Sequence, residues 1–203
     1  QNASTVGLLD LKILPDQKNN DFNFFDNIEN KKFKFLYLLG SDNLNFKKDD
    51  KFIVYQGCHG DRGAEIADIV LPSATYTEQN GLYANLEGRI QECKKASYPI
   101  GEALEDWKIF NYIIKKIGHK DNLTNFNQLR KEVLSTIPNF SEMNKLPKLT
   151  QIQSLNIETN FVSEEVLVRK LDYYYTNSIS RASKTMSECR LIHKKIKKNG
   201  TNN

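Results

Sequence analysis

The segment Phe33-Lys34-Phe35-Leu36-Tyr37-Leu38-Leu39 constrains this chain more than any other, because apolar side chains stand at nearly every position and not at alternate ones. Successive residues of a strand point to opposite faces. A run apolar at almost every step therefore fits a strand covered on both sides, as in a parallel sheet. Gly40-Ser41-Asp42 ends it. A second strand is expected at Phe52-Ile53-Val54-Tyr55, running into the loop Gln56 to Gly63 and then Ala64 to Ala67. A third is expected at Asp68-Ile69-Val70-Leu71, stopped by Pro72. Strand, glycine loop and strand at this spacing predict α/β construction.

On the N-terminal side, Val6, Leu8, Leu9, Leu11 and Ile13 alternate with small or polar residues up to Pro15. Asp16 to Lys32 is polar, interrupted by Phe22, Phe24 and Phe25, and reads as a surface loop tacked down by its aromatics. Beyond Pro72, Asn80-Gly81 and Glu87-Gly88 predict turns between short extended pieces. A helix is predicted from near Ala103 to Gly118. Glu105 and Asp106 fall in its first turn, where negative charge suits the helix dipole, and Trp107, Phe110, Ile114 and Ile117 line one face. A further helix is predicted over Asn125 to Ser135, with Phe126, Leu129 and Val133 inward. Residues 139–163 read as irregular. After Thr176-Asn177-Ser178, a good helix start, Ile179, Ala182, Met186, Cys189, Ile192 and Ile196 form the stripe of an amphipathic helix, suited to its own domain or to a partner. The expected division is an α/β portion over 1–138, then a linker, helix and basic tail over 139–203.

Several function classes are excluded or unsupported. No run approaches the roughly 18 apolar residues that a spanning helix needs, so any membrane association is expected to go through a partner. The net charge of +4 is only mildly basic, and its one dense block, Lys194, Lys195, Lys197 and Lys198, reads as a solvated terminus. Nucleic-acid binding would need a recognisable module with interleaved aromatics, which is not present. Cys58, Cys93 and Cys189 are three, far apart, and without C-x-x-C spacing. An ordinary iron–sulfur cluster takes four thiolates, so these cysteines are not expected to hold one unaided. Gln1 stands where an initiator Met would be expected, so the chain is expected to be processed or a portion of something longer.

The candidate chemistry is thin. The loop Gly57-Cys58-His59-Gly60-Asp61-Arg62-Gly63 follows a strand, and glycines there let backbone amides approach a phosphate. Its spacing is neither G-x-G-x-x-G nor a P-loop, so a tight turn is the default reading. Cys58 and His59 are adjacent in an extended segment and point apart, which argues against a nucleophile–base pair. Glu78, Glu87 and Glu92 have no partner that the sequence supplies. Arg62 and Arg89 are expected to hold loops through carbonyls or carboxylates.

Ala67-Asp68-Ile69-Val70-Leu71-Pro72, followed by Glu78, Gly81, Asn85 and Glu87-Gly88-Arg89-Ile90-Gln91, resembles the molybdopterin oxidoreductase superfamily. Val54-Tyr55-Gln56-Gly57, His59-Gly60-Asp61, Glu105-Asp106-Trp107-Lys108-Ile109 and Ser178-Ile179-Ser180-Arg181-Ala182-Ser183, with Thr185-Met186, look like the mitochondrial-type large iron–sulfur subunits of respiratory complex I within it. The resemblance spans about Ala3 to Lys195; Asp16–Lys32 and Asn139–Ser163 match poorly.

The resemblance implies an α/β fold: the end portion of a molybdopterin-oxidoreductase-like domain, with parallel strands and flanking helices, plus a C-terminal helical extension. In such subunits an N-terminal portion carries the iron–sulfur clusters, and the later portion keeps the fold without the cofactor. No catalytic, cofactor-binding or metal residue is carried over; Asp68, Glu78, Asn85, Glu87 and Arg89 are taken as fold-keeping positions. The implied role is a non-redox scaffold in the peripheral arm of NADH:ubiquinone oxidoreductase, on the matrix side of the mitochondrial inner membrane. FMN and the clusters are then expected in neighbouring chains. The expected partners are other complex I subunits, above all a cysteine-rich polypeptide, with no nucleic acid and no membrane span of its own. The alternative is the C-terminal half of an active, formate dehydrogenase-like molybdopterin enzyme, in which the Gly57–Gly63 loop and Gly81–Gln91 would touch a pterin.

Overall fold

The apolar runs pair as predicted in a computed structural model that describes residues 4–13, 24–41, 44, 46–119, 123–146 and 172–199. Strands β1 (Phe35–Leu39), β2 (Phe52–Gly57) and β3 (Ile69–Pro72) form a parallel sheet in the order β1-β2-β3. Phe35 lies beside Phe52, and Val54 beside Ile69. The chain divides into two units, one of residues 1–58 with 62–148, the other of residues 59–61 with 149–203.

Alternation sorts the strand residues of the first unit. Leu36, Leu38, Ile53 and Tyr55 point to one face and form its main core with Ile28 and Phe46. Each side chain so buried stabilises the fold by about 1.5–3 kcal/mol. Helix α1 (Ser4–Asp10) lies elsewhere, against the hairpin described below, while α2 (Phe24–Glu29) delivers Ile28 to this core. The stretch read as a surface loop thus contains a helix. Six residues do not hold a helix alone, so propensity carried no signal, and burial of Ile28 fixes it. The side chains of Phe24 and Phe25, and all of Phe22, lie outside the described residues. On the same face, α3 (Arg62–Glu65) contributes Ala64 to the packing.

The opposite face carries Tyr37, Val54 and Gln56 and is covered by α4 (Asp106–Lys116). Asp106 meets Gln56 near the end of β2, and the Phe110 ring stands 5.7 Å from that of Tyr37, whose register partner Val54 lies two residues before Gln56. The helix therefore runs antiparallel to the strands. Its inward residues are Asp106, Ile109, Phe110 and Ile113; of the predicted Trp107, Phe110, Ile114 and Ile117 only Phe110 is among them, and Ile117 is 70% exposed. Both sets satisfy the 3.6-residue period, and anchoring of Asp106 to the sheet selects between them. Coverage of this face is partial, since Phe35 and Phe52 stack at 6.2 Å yet remain 56% and 46% exposed. Both-sided cover, expected from the apolar runs, is incomplete in this chain.

Strands β4 (Gly81–Ala84) and β5 (Ile90–Cys93) pair antiparallel. Helix α1 crosses β4 closely at Gly7, where a Cβ would come 3.3 Å from that of Ala84. Helix α5 (Phe126–Thr136) is capped by Asn125, whose Oδ1 accepts the Gln128 amide at 3.0 Å. A single 3₁₀ turn, Pro138–Phe140, buries Phe140.

In the second unit the predicted C-terminal helix is two: α6 (Ser178–Ala182) and α7 (Lys184–Asn199). Ser183 takes an extended ψ of 121° and interrupts the helical path. Of the predicted stripe, Ile179, Ala182, Cys189 and Ile192 are exposed and Met186 is half-buried; the Ile196 side chain lies outside the described residues. No helix among the described residues is long and apolar enough to cross a membrane.

Candidate functional site

Gln56 is the one polar side chain that β2 sends inward, and it is 0% exposed. A buried amide must find partners or cost several kcal/mol, and it finds them on two elements, β1 and α4. The Tyr37 hydroxyl of β1 donates to Gln56 Oε1. Gln56 Nε2 donates to Asp106 Oδ1 at 2.6 Å. Gln79 Nε2 donates to Asp106 Oδ2 at 2.8 Å and to the Ala74 carbonyl at 3.2 Å, while the Asp106 amide donates to Gln79 Oε1 at 3.1 Å. Burial, reinforced by the Asp106 charge, pushes the Tyr37 phenol up. Next to this network Glu105 is only 5% exposed. It accepts the Trp107 indole N–H at 2.8 Å and pairs with Lys108 at 3.3 Å and Lys95 at 3.5 Å. Burial pushes the Glu105 carboxyl up, but the indole hydrogen bond and the two ammonium groups outweigh it and hold the carboxyl below its usual range.

Both Asp106 oxygens are thus engaged, and the network joins β1, β2, α4 and the segment before β4. Chemically it is a buried polar tie. Beside it lies a cleft of about 340 Å³ lined by Leu11, Asp106, Trp107, Phe126, Arg130 and Phe140. Arg130 Nη2 reaches Glu92 Oε2 at 3.3 Å. Neither Gln56 nor Gln79 stands out as a site in the sequence. The available signal was a glutamine directly after an apolar strand, which reads equally well as the start of a loop.

The motif residues are engaged locally. Asp68 Oδ2 accepts the Ile53 amide at 2.8 Å and Oδ1 pairs with Lys48 at 2.5 Å. The Lys48 hydrogen bond first, and the Ile53 amide second, hold its carboxyl below the ordinary value. Glu78 Oε2 accepts the Thr75 amide at 3.2 Å. Asn85 Oδ1 accepts the amides of Glu87 at 2.9 Å and Arg89 at 3.0 Å, and Nδ2 donates to Glu87 Oε2 at 3.2 Å. Gly88 closes that turn at φ 79°, a conformation that side chains disfavour. Arg89 lies 3.7 Å from Glu87, and Arg62 donates to the Phe46 carbonyl at 3.4 Å. Glu78 and Glu92 are not brought together.

A phosphate cradle at the glycine loop would need backbone amides beside open space. A Cβ on Gly63 would lie 2.7 Å from the Ser41 carbonyl and 3.0 Å from the Tyr55 ring, and one on Gly57 would strike the Tyr55 phenol. At these two positions glycine makes room for the chain's own tyrosine. Cys58 and Cys189 are exposed and Cys93 is half-buried, and none of the three is in a disulfide. Among the described residues no group of three or more His, Cys, Asp or Glu could hold a metal ion.

In the second unit, Arg181 Nε donates to Asp61 Oδ2 at 2.5 Å and Arg190 Nε to Asp172 Oδ2 at 2.5 Å. Asn177 and Ser180 form a reciprocal capping box at the start of α6.

The chain matches the family model for molybdopterin oxidoreductase over residues 1–116, and that for the C-terminal region of the G subunit of NADH-ubiquinone oxidoreductase over residues 146–189. It is 35% identical over 198 residues to the NADH-ubiquinone oxidoreductase 75 kDa subunit of Reclinomonas americana, an alignment covering 95% of this chain and 28% of the relative. Identity is 39% over 165 residues with the mitochondrial 78 kDa subunit of the same enzyme in Neurospora crassa, covering 77% and 22%. With the mitochondrial NADH dehydrogenase (ubiquinone) iron-sulfur protein 1 of Solanum tuberosum it is 35% over 201 residues, covering 96% and 26%. The chain therefore spans about a quarter of the length of the curated relatives it matches.

Proposed function

Because this chain belongs to the molybdopterin oxidoreductase family and its homologues are large subunits of NADH-ubiquinone oxidoreductase, we propose that it is a structural, non-redox part of that enzyme's peripheral arm. The observation that carries this reading is the ordered double match: the α/β portion aligns with the superfamily, and the tail aligns with a C-terminal region particular to NADH-ubiquinone oxidoreductase. In this reading residues 1–138 are the end of the degenerate α/β domain and 139–203 an extension. The chain is then a non-catalytic component of a redox translocase.

Two further features support it. Three scattered cysteines fall short of the four thiolates of an ordinary cluster, which supports a reading in which the iron–sulfur centres sit in neighbouring polypeptide; FMN is placed there by the same proposal. The motif positions Asp68, Glu78, Asn85, Glu87 and Arg89 are occupied in holding turns and strands together, which is what fold-keeping residues do. The half-bare sheet face, with Phe35 and Phe52 outward, is a surface for a complex I partner, foremost the cysteine-rich one. The site of action is the matrix side of the mitochondrial inner membrane, reached through those partners.

The test is elemental. The assembly captured through a tag on this chain should contain iron and flavin and no stoichiometric molybdenum or tungsten. Stoichiometric molybdenum or tungsten would overturn the scaffold reading in favour of an active pterin enzyme.

A further inference from the structure

Two short sequence blocks far apart in the chain meet at one ion pair. Asp61 closes the tripeptide His59-Gly60-Asp61, and its carboxylate accepts the Nε–H of Arg181, 120 residues later in α6, at 2.5 Å. The Arg181 side chain is only 17% exposed, so the contact is partly shielded from solvent. A guanidinium–carboxylate bond with short geometry is stronger than a neutral hydrogen bond, and shielding reduces the screening that makes most surface pairs negligible.

The local structure around Arg181 holds that side chain in place. A five-residue helix does not persist by itself, yet α6 is fastened on both sides. At its start the Asn177 side chain accepts the Ser180 amide at 2.9 Å, and Ser180 Oγ accepts the Asn177 amide at 3.1 Å. The approach segment is tied to α7 by Asp172 and Arg190 at 2.5 Å, with the Arg190 guanidinium 4.4 Å from the centre of the Tyr175 ring. Tyr174 and His193 add a ring contact at 5.6 Å. Arg181 is thus presented by a pre-organised fold, which lowers the entropy cost of fixing a long side chain.

We infer that Asp61 is a recognition residue whose ligand is the chain's own Arg181 guanidinium, so that His59-Gly60-Asp61 and Ser178–Ser183 are the two halves of one internal joint. The joint fastens the C-terminal helices to the loop at residues 59–61. It stands on this geometry alone and is independent of the scaffold proposal.

The test is a charge swap in the full chain, expressed in its own cells with a C-terminal epitope tag. Membrane extracts are treated with thermolysin, whose specificity does not depend on the altered charges, and the tagged C-terminal fragment is followed. D61K and R181E should each release it about five- to tenfold faster, the order expected for breaking a shielded charge pair. The D61K/R181E double variant should return to within about twofold of the unaltered chain. If a single variant does not accumulate, accumulation of the double variant still supports the joint. Unchanged release in both single variants, or a double variant no better than the worse single, would overturn it. The neutral change E188Q, on the far side of the α6–α7 break, should leave release unchanged.

Discussion

Replacing Gln56 by Glu alters one heavy atom and should be among the more destabilising single changes in the chain. Gln56 Nε2 lies 2.6 Å from Asp106 Oδ1 in a position with 0% exposure. Exchanging that nitrogen for oxygen places two carboxyl groups in contact, and they cannot both ionise there without large repulsion. A carboxyl so placed has its pKa raised by about 3 units. At 1.36 kcal/mol per unit, the penalty at pH 7.5 is about 4 kcal/mol, a large share of the ~5–15 kcal/mol of a typical domain. The folded-state pKa is raised, so the protonated form is the stable one. The penalty is nearly absent below the unfolded value of about 4.3, grows as pH rises through the window from about 4.3 to about 7, and is complete above it. Trp107, the only tryptophan, sits beside the network and reports unfolding by fluorescence in urea. With an m-value of about 2 kcal/mol/M, the midpoint should fall by about 2 M at pH 7.5 and by about 0.5 M at pH 5. Q56M, which removes the same hydrogen bonds without adding charge, should show a loss that does not vary with pH. Equal shifts for Q56E at both pH values, or no shift, would refute the reasoning.

Three other changes test separate parts of the structure. E105Q removes a 5%-exposed charge that faces Lys95, Lys108 and the Trp107 indole and should cost about 2 kcal/mol at pH 7. The folded Glu105 carboxyl is held low, so its contribution is present above the unfolded value near 4.3 and is lost as pH falls through the folded value. The gap between E105Q and the unaltered chain in urea midpoint should therefore close on acidification below about pH 4. N85A takes the acceptor from the Glu87 and Arg89 amides and should cost about 1–2 kcal/mol, seen as faster hydrogen exchange at those two amides. G63V drives a side chain into the Ser41 carbonyl and the Tyr55 ring and should cost about 1–3 kcal/mol, read as a lower melting temperature.

What the sequence disclosed follows from the range over which each signal acts. The β1 and β2 runs were legible because alternation and its absence are local, and the parallel pairing followed from apolar residues on both faces. The Asn85 turn was legible for the same reason, since its hydrogen bonds span at most four residues. Helix α2 was not, because Ile28 is held by Leu36, Ile53 and the rest of the core, and six residues carry no helical period. The rotation of α4 was hidden too: Trp107/Ile114 and Asp106/Ile113 are both acceptable stripes, and only contact with Gln56 and Gln79 chooses between them. The break at Ser183 was missed because a continuous apolar stripe reads through it. The Asp61–Arg181 contact spans 120 residues; one sequence shows that both charges exist and nothing about their meeting.

The most direct test of the scaffold proposal is native-gel separation of solubilised mitochondrial membranes, with mass spectrometry of the band that holds this chain. Co-migration with NADH dehydrogenase activity, flavin and cysteine-rich iron–sulfur polypeptide is the expected result. Migration apart from all three, or with a molybdenum-containing soluble enzyme, would contradict it.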